Sequence, residues 1–322
     1  MRVLVTGGAG YVGSLVCREL IHSNHDVRAF DSLLHGGESL TGLYPEDRFT
    51  FLAGDIRSAG DLYRAVEGVD AVVHLAAIVG DPACARDKSL SLDVNHTASL
   101  HLFDAAKHVG ARRFVFASTC SNYGRMTDPK HPVNEQAELK PVSLYAETKV
   151  AVEQFLLQQS HGSIEPTVLR FATVYGISPR MRFDLTVNEF TRDLFIHQKL
   201  TVFGEQFWRP YVHVRDVARA VRIVLDAPSD SVRGQVFNVG DTRENFTKSM
   251  LIEKIQRALP KETRIERVHR TEDPRDYRVD FTRIKRELNF EITRTVDDGI
   301  RELIDALSQG VFTDPFSEKH RN

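Results

Sequence analysis

"TGGAGYVG", residues 6–13, decides how this chain is read. Ahead of it "RVLV" (2–5) is a short apolar run of buried-strand character. Behind it "YVGSLVCRELIHS" carries apolar residues at helical spacing: Val12, Leu15, Val16, Leu20 and Ile21. The glycines therefore lie between a strand and a helix, the context in which such a turn cradles a dinucleotide. Gly7, Gly10 and Gly13 permit a tight turn, a close backbone approach to a pyrophosphate and close helix–sheet packing. The helix N-terminus adds partial positive charge for the phosphates. Tyr11 and Val12 belong to the same turn.

Strand and helix signals alternate beyond it. "DVRAFD" (26–31), "FTFLAGD" (49–55), "DAVVHLAA" (70–77) and "RRFVFAST" (112–119) read as short buried strands, with helical stretches near 58–67 and 95–109 between them. "LYAETKVAVEQFLLQQ" (144–159) predicts a helix and "PTVLRFATVYG" (166–176) a further strand. This rhythm predicts an α/β fold with a doubly wound parallel sheet. After Gly176 it loosens: a basic loop and a helix, short strands at "LTVFG" and "YVHV", a helix at 215–227 and a strand at "QVFNVG". From Asp241 two or three helices and a polar tail are expected. The predicted organisation is a dinucleotide-binding domain over 1–175 with a return segment at about 212–240. A smaller, discontinuous C-terminal lobe takes 176–211 and 241–322.

Bulk properties narrow the function. With 322 residues, 42% hydrophobic and 27% charged, the chain suits a globular enzyme of one large domain or of two lobes around a cleft. A net charge of −2 gathers neither nucleic acid nor anionic lipid non-specifically. No stretch approaches the roughly 20 apolar residues of a membrane span, and the start of the chain lacks the zones of a signal peptide. Cys17, Cys84 and Cys120 have no metal-ligand spacing, so no metal is expected and a reducing cytoplasm is.

Asp31 ends the second strand, 18 residues after Gly13, near the spacing of a ribose-binding acid. Its alternative role is to cap a loop. Beside the glycines it predicts NAD rather than NADP, because a carboxylate accepts from the ribose 2′-OH and repels a 2′-phosphate. Asp55 in "GDI" is placed at the adenine. "YAETK" puts Tyr145 and Lys149 four residues apart on one helix face. Such a pair is common on solvated helices, but here it follows a strand ending "AST", whose Thr119 can share the site. A lysine near a phenol favours the phenolate, lowering its pKa from about 10. Tyr145 then serves as general base for an alcohol losing hydride to NAD, with Thr119 on the same oxygen.

"TGGAGYVG", "GDI", "HLAA", Asn95, "ASTCSNYG", "YAETK", "LRFATVYG" and "RPYVHVRDVARA" together resemble the extended short-chain dehydrogenase/reductase family, the nucleotide-sugar epimerases and dehydratases, over nearly the whole chain. The resemblance implies a Rossmann domain, tightly held NAD, a nucleoside-diphosphate sugar as substrate and a homodimer. Thr119, Tyr145 and Lys149 take the family's catalytic positions. Ile56, Leu75, Ala76, Ala77 and Asn95 join the cofactor site; Cys120 and Ser121 join the substrate site. In the second lobe Arg209 in "WRPYVHV" and Arg275 in "EDPRDYR" are the implied diphosphate ligands, with Asn188, Arg182 and Arg180 near them. Paired phosphate oxygens suit the planar guanidinium fork. "SPRMRFD" and "EDPRDYRV" are similar to a branch acting at C4 of GDP-heptoses.

Family dehydratases carry Thr-Asp-Glu where this chain has Thr119-Cys120-Ser121. Without those carboxylates, oxidoreduction at C4, and a 4-epimerase above all, is expected. A net C4 dehydrogenase, a dehydratase using Cys120 as acid, and a non-catalytic NAD-binding regulator are the alternatives. His74 is expected to be a packed strand residue, and Cys84 either faces the sugar or fills space. The Asp31 assignment predicts that NAD binds at least about tenfold more tightly than NADP, about 1.4 kcal/mol. Titration with both cofactors checks it, and Asp31→Ala should narrow the gap.

Overall fold

Strands covered on both faces need near-continuous apolar runs. β1 (Arg2–Thr6) has one, with Val3, Leu4 and Val5 fully buried. The computed structural model describes residues 1–126, 131–159, 162–270, 273 and 275–322. In it β1 leads through the glycine turn into α1 (Gly13–His22) and then β2 (Asp26–Asp31). β3 (Phe49–Ala53), α2 (Ala59–Val66) and β4 (Ala71–His74) follow. Two short helices, α3 (Asp81–Arg86) and α4 (Lys88–Leu92), precede α5 (Ala98–His108) and β5 (Arg113–Thr119). α6 (Leu144–Gln158) then returns the chain to β6 (Glu165–Phe171).

The run expected as one strand over 166–176 is two. β6 stays in the main sheet, whereas β7 (Thr173–Tyr175) pairs with β9 (Trp208–His213) in a separate small sheet. Two partners on diverging planes cannot be served by one straight strand, so the chain bends at Ala172. α7 (Thr186–His197) and β8 (Lys199–Phe203) lie between them. α8 (Val214–Asp226) and the short α9 (Ser229–Val232) lead to β10 (Gln235–Val239), which re-enters the main sheet beside β6.

That sheet has seven parallel strands in the order β10-β6-β5-β4-β1-β2-β3. Its order reverses between β1 and β4, and the crevice beyond the carboxyl ends at such a switch point is where open α/β sheets bind ligands. One face is covered by α1 and α8, the other by α2, α5 and α6 through Leu62, Phe103, Val152 and Leu156. The second lobe adds β11 (Asn245–Thr247), α10 (Lys248–Ala258), β12 (Arg264–Val268), α11 (Thr282–Leu288) and α12 (Val296–Ser308). Its core packs Phe183, Leu194, Leu251, Ile255, Ile300 and Leu303. β12, "RIERV", pairs in parallel with β8 and was not expected as a strand, because its polar residues show no apolar run. Among the described residues, no helix is long and apolar enough to cross a membrane.

Under the ends of β5 and β6 sits a buried ion pair. Arg170 of β6 donates to Glu153 of α6 through Nη2 (2.7 Å) and Nε (3.1 Å), with side chains only 5% and 1% exposed. Ser118 Oγ and Asn122 Nδ2 also donate to the Glu153 carboxylate. Removing one partner of such a pair strands the other charge out of water, at a cost of about 3–5 kcal/mol. Glu153→Ala should therefore lose about that much in urea denaturation, far more than an exposed Glu138→Ala control.

Candidate active site

Three glycines shape the first wall. Gly7 has φ +72°, and a Cβ there would lie 2.8 Å from the Ala76 nitrogen. A Cβ on Gly13 would come within 2.0 Å of the Gly7 carbonyl oxygen. Both positions therefore exclude side chains, leaving a backbone cradle at the N-terminus of α1. Asp31, at the carboxyl end of β2, accepts from Ala9 N (3.0 Å) and Leu33 N (2.8 Å). Burial raises its pKa, and those two backbone donors oppose the rise.

A continuous cavity of about 1030 Å³ opens from this cradle between the lobes. Of the residues assigned to the cofactor from the sequence, Gly7, Gly10, Tyr11, Val12, Gly13, Asp31, Asp55, Ile56, Leu75, Ala76, Ala77, Tyr145 and Lys149 line it. Asn95 does not. It lies in a wide π turn (Asp93–Thr97), where a single helix to 109 was expected. There its amide accepts from Ile78 N (2.8 Å) and donates to Ile78 O (2.9 Å). Asn95 thus staples the loop after β4 from behind. Asp55 forms a bidentate pair with Arg57 at 3.0 Å to each oxygen from Nε.

The second wall is built by β5 and α6. Thr119 ends β5, its Oγ1 2.9 Å from Ser121 Oγ. Ser143 caps α6, accepting from Ala146 N, and so starts the helix just before Tyr145. One turn on, Lys149 Nζ donates to Ala117 O (2.9 Å) and lies 4.7 Å from the Phe116 ring centre and 5.8 Å from that of Tyr145. Burial lowers the Lys149 pKa to about 8. Thr119, Ser121, Tyr145 and Lys149 all line the cavity.

Cys120 is turned the other way. It is fully buried, and its thiol donates to Arg170 O at 3.2 Å, so it is neither a substrate ligand nor a proton donor to the cavity. Burial pushes its pKa well up. Asn188 is also a correction: it is fully buried and off the cavity, accepting from Gly176 N (2.9 Å) and donating to Arg182 O (2.8 Å). Its amide is consumed by holding the turn after β7. Cys84 is buried, with its thiol donating to Ile78 O at 3.3 Å. His74 bridges Thr6 Oγ1 (2.7 Å) and Ser99 Oγ (2.9 Å), and burial holds its pKa down at about 3, so it is a neutral packed residue.

Arg182, Arg209 and Arg275 reach the cavity from the second lobe. Arg182 pairs with Asp184 at 2.6 Å and Arg209 with Asp273 at 2.8 Å. Glu272 and Pro274, either side of Asp273, lie outside the described residues. Burial pushes Asp273 up, but Arg209 and Arg275 outweigh it and hold the carboxyl below its ordinary range. Lys248, at the start of α10, joins this cluster and was missed, because a lone lysine after a threonine carries no motif. Thr173, Tyr277 and Glu189 are further lining residues without a sequence signal.

A parallel sheet with a glycine cradle at its switch point, an acid at the next strand end and a half-buried tyrosine one turn from a buried lysine defines an NAD-dependent oxidoreductase acting on an alcohol. The comparisons agree: residues 3–240 match the model of the NAD dependent epimerase/dehydratase family, and the chain belongs to that family. An uncharacterised UDP-glucose epimerase of Bacillus subtilis (strain 168) is 31% identical over 96% of this chain and 98% of its own length. Among solved structures, UDP-glucuronic acid 4-epimerase from Bacillus cereus, in complex with UDP-glucuronic acid and NAD, superposes with TM-score 0.86, 26% identity, and 96% and 99% coverage. The dTDP-glucose 4,6-dehydratase DesIV of Streptomyces venezuelae gives 0.85, 26%, 96% and 97%. The protein is thus an NAD-dependent enzyme of the epimerase/dehydratase family.

The buried ammonium has a thermodynamic signature. The folded pKa of Lys149, about 8, lies below its ordinary 10.5, so between these values the unfolded chain binds more protons. The native state should gain stability as pH rises through that window. Lys149→Met should lose that gain, and its melting temperature relative to the wild type should be highest near pH 7 and fall toward pH 10. Paired melting curves without added nucleotide check this.

Proposed function

We propose that the chain is a nucleotide-sugar 4-epimerase. The observation that carries this is the wall beside Tyr145: Thr119 and Ser121 present hydroxyls to the cavity while Cys120 faces the core. Beside Tyr145 the wall offers no carboxylate among the described residues: Asp31 bonds the glycine turn, Asp55, Asp184 and Asp273 pair with arginines, and Glu189, its pKa raised by burial, lines the cavity from α7 in the second lobe. Elimination of water needs an acid for the departing hydroxyl and a base for the neighbouring proton. Oxidation at C4 needs neither.

In this reading Tyr145 takes the C4 hydroxyl proton, Thr119 hydrogen-bonds the same oxygen, and the Lys149 ammonium stabilises the phenolate. Gly7, Gly10 and Gly13 would cradle the NAD diphosphate, Asp31 its ribose and Asp55 its adenine, and the bound nicotinamide would supply the hydride acceptor and donor for C4. Tyr145 gives its proton back, so the substrate regains both hydrogens. Arg209, Arg275 and Lys248 hold the nucleoside diphosphate while the keto-sugar turns its other face to the hydride. Arg182, tied to Asp184, shapes that pocket. Residues 1–175 and 212–240 serve the dinucleotide, and 176–211 and 241–322 the nucleotide sugar. A cytoplasmic homodimer fits the same reading.

Mass spectrometry with proton NMR after incubation with GDP-, UDP-, dTDP- and CDP-sugars, a GDP-heptose included, should find a product of unchanged mass whose ring couplings show an altered C4 configuration. A product two hydrogens lighter with NADH released makes the enzyme a C4 dehydrogenase, and loss of one water overturns the assignment of the wall. Tyr145→Phe should fold and bind NAD but turn over about 10²–10⁴-fold more slowly, the usual worth of acid–base catalysis.

A further inference from the structure

Arg180 has no part in the proton and hydride chemistry above. It sits in the loop between β7 and α7, and that loop is bound onto the glycine turn. Tyr11 Oη donates to Gly176 O (2.7 Å), Ser178 Oγ donates to Tyr11 O (2.6 Å), and Ser14 Oγ lies 3.2 Å from Ser178 Oγ. Second-lobe backbone is thus fastened to the N-terminal end of α1. Two residues past Ser178, Arg180 lines the cavity while being only 7% exposed.

Its hydrogen bonding is incomplete. Nη2 donates to Arg321 O (2.7 Å), but Nε has no partner among the described residues. Arg182 beside it has Asp184 in a two-point ion pair; Arg180 makes no ion pair among the described residues. A buried cation whose nearest carboxylates, Asp31 and Asp184, act on it without a direct ion pair among the described residues is costly. The groups facing it are Asp31 and His35 at the end of β2, Arg182 and Asp184 on its own loop, and His320. Burial lowers its pKa to about 10, so it is still charged at neutral pH. Arg209, Arg275 and Lys248 form a separate cationic cluster around Asp273.

We propose that Arg180 is a diphosphate ligand of the dinucleotide, reaching across from the second lobe to close the cofactor into its cradle. The anion belongs to the dinucleotide rather than the nucleotide sugar because Arg180 stands with Asp31 and the α1 N-terminus, where phosphate is favoured. Segment 312–322 straps it in place. Phe312 packs edge-on against Phe183 at 5.0 Å, Phe316 stacks on His197 at 4.7 Å, and the Arg192 guanidinium covers Phe316 at 4.3 Å. Phe183 N donates to His320 O (2.9 Å), leaving the next carbonyl, of Arg321, on Arg180. The cofactor then leaves only when the loop and its strap lift, whichever sugar product is made.

The test measures cofactor retention rather than turnover. NADH is loaded onto the full chain, excess NAD is added, and release is followed by fluorescence; UDP and GDP affinities are measured by calorimetry. Arg180→Ala should speed release about ten- to a hundred-fold, the worth of a charge-assisted hydrogen bond, with diphosphate-nucleoside affinity unchanged. Arg180→Lys should fall between, and Phe316→Ala, which loosens the strap without touching the cavity, should speed release by a smaller factor. Unchanged NADH release in Arg180→Ala overturns the proposal. So does a loss of UDP or GDP affinity without faster release, which would assign Arg180 to the nucleotide sugar. Should Arg180→Ala fail to fold, Arg180→Lys and Phe316→Ala decide by the same two readouts.

Discussion

The active site depends on the Arg170–Glu153 pair. Each charge is buried, so neither strand nor helix can slide without exposing an unpaired ion to a low-dielectric interior. The pair therefore locks α6 against β6, and Ser118 and Asn122, which also donate to Glu153, lock it against the end of β5. Tyr145, Lys149 and Glu153 recur every four residues, so they share one helix face. Fixing Glu153 fixes the other two. The lattice runs further: Arg170 Nη1 donates to Tyr123 Oη (3.0 Å), whose hydroxyl donates to Asn238 Oδ1 (2.8 Å) on β10. Four elements that meet only in the folded state are thus held in one polar network.

On this frame the cavity divides by charge. At one end, the glycine cradle and the α1 N-terminus favour phosphate; at the other, Arg209, Arg275 and Lys248 outnumber Asp273. Between them Thr119, Ser121 and Tyr145 offer hydroxyls beside the recessed Lys149 ammonium. The burial that lowers the Lys149 pKa also keeps this ammonium out of water, where its field on the tyrosine hydroxyl is least screened.

The sequence carried what local pattern can carry. β1, β2, β5, α6 and α8 fall within a residue or two of their expected places because each is an apolar run of the right period. That Thr119, Tyr145, Lys149 and the glycines share one cavity was legible because their placement follows from spacing along one turn, strand or helix. Asn95, Cys120 and Asn188 were misplaced because a motif names a residue without saying which way it faces. Each of these side chains is spent on backbone distant in sequence: Ile78, Arg170 and Gly176. β12 and Lys248 were missed for a related reason. Their neighbours come from chain far away, and the local composition is polar.

The direction of Cys120 bears on more than one assignment. Thr119 and Ser121 face the cavity, whereas Cys120, which opens the 3-10 turn Cys120–Tyr123 that Thr119 caps, faces the core. The Cys120 thiol lies among Arg170, Glu135 and Glu153, whose carboxylates already disfavour a further negative charge there. Arg170 is engaged by Glu153 and Tyr123. A carboxylate at position 120 would be buried beside two others without a cation to spare, a cost of several kcal/mol before any relaxation. Placing it in the cavity instead would require turning the 120–123 segment, which would break Asn122 from Glu153 and Tyr123 from Asn238. The lattice that positions Tyr145 and Lys149 therefore also holds residue 120 in the core, and a carboxylate at that position would come at the expense of the contacts that fix the helix.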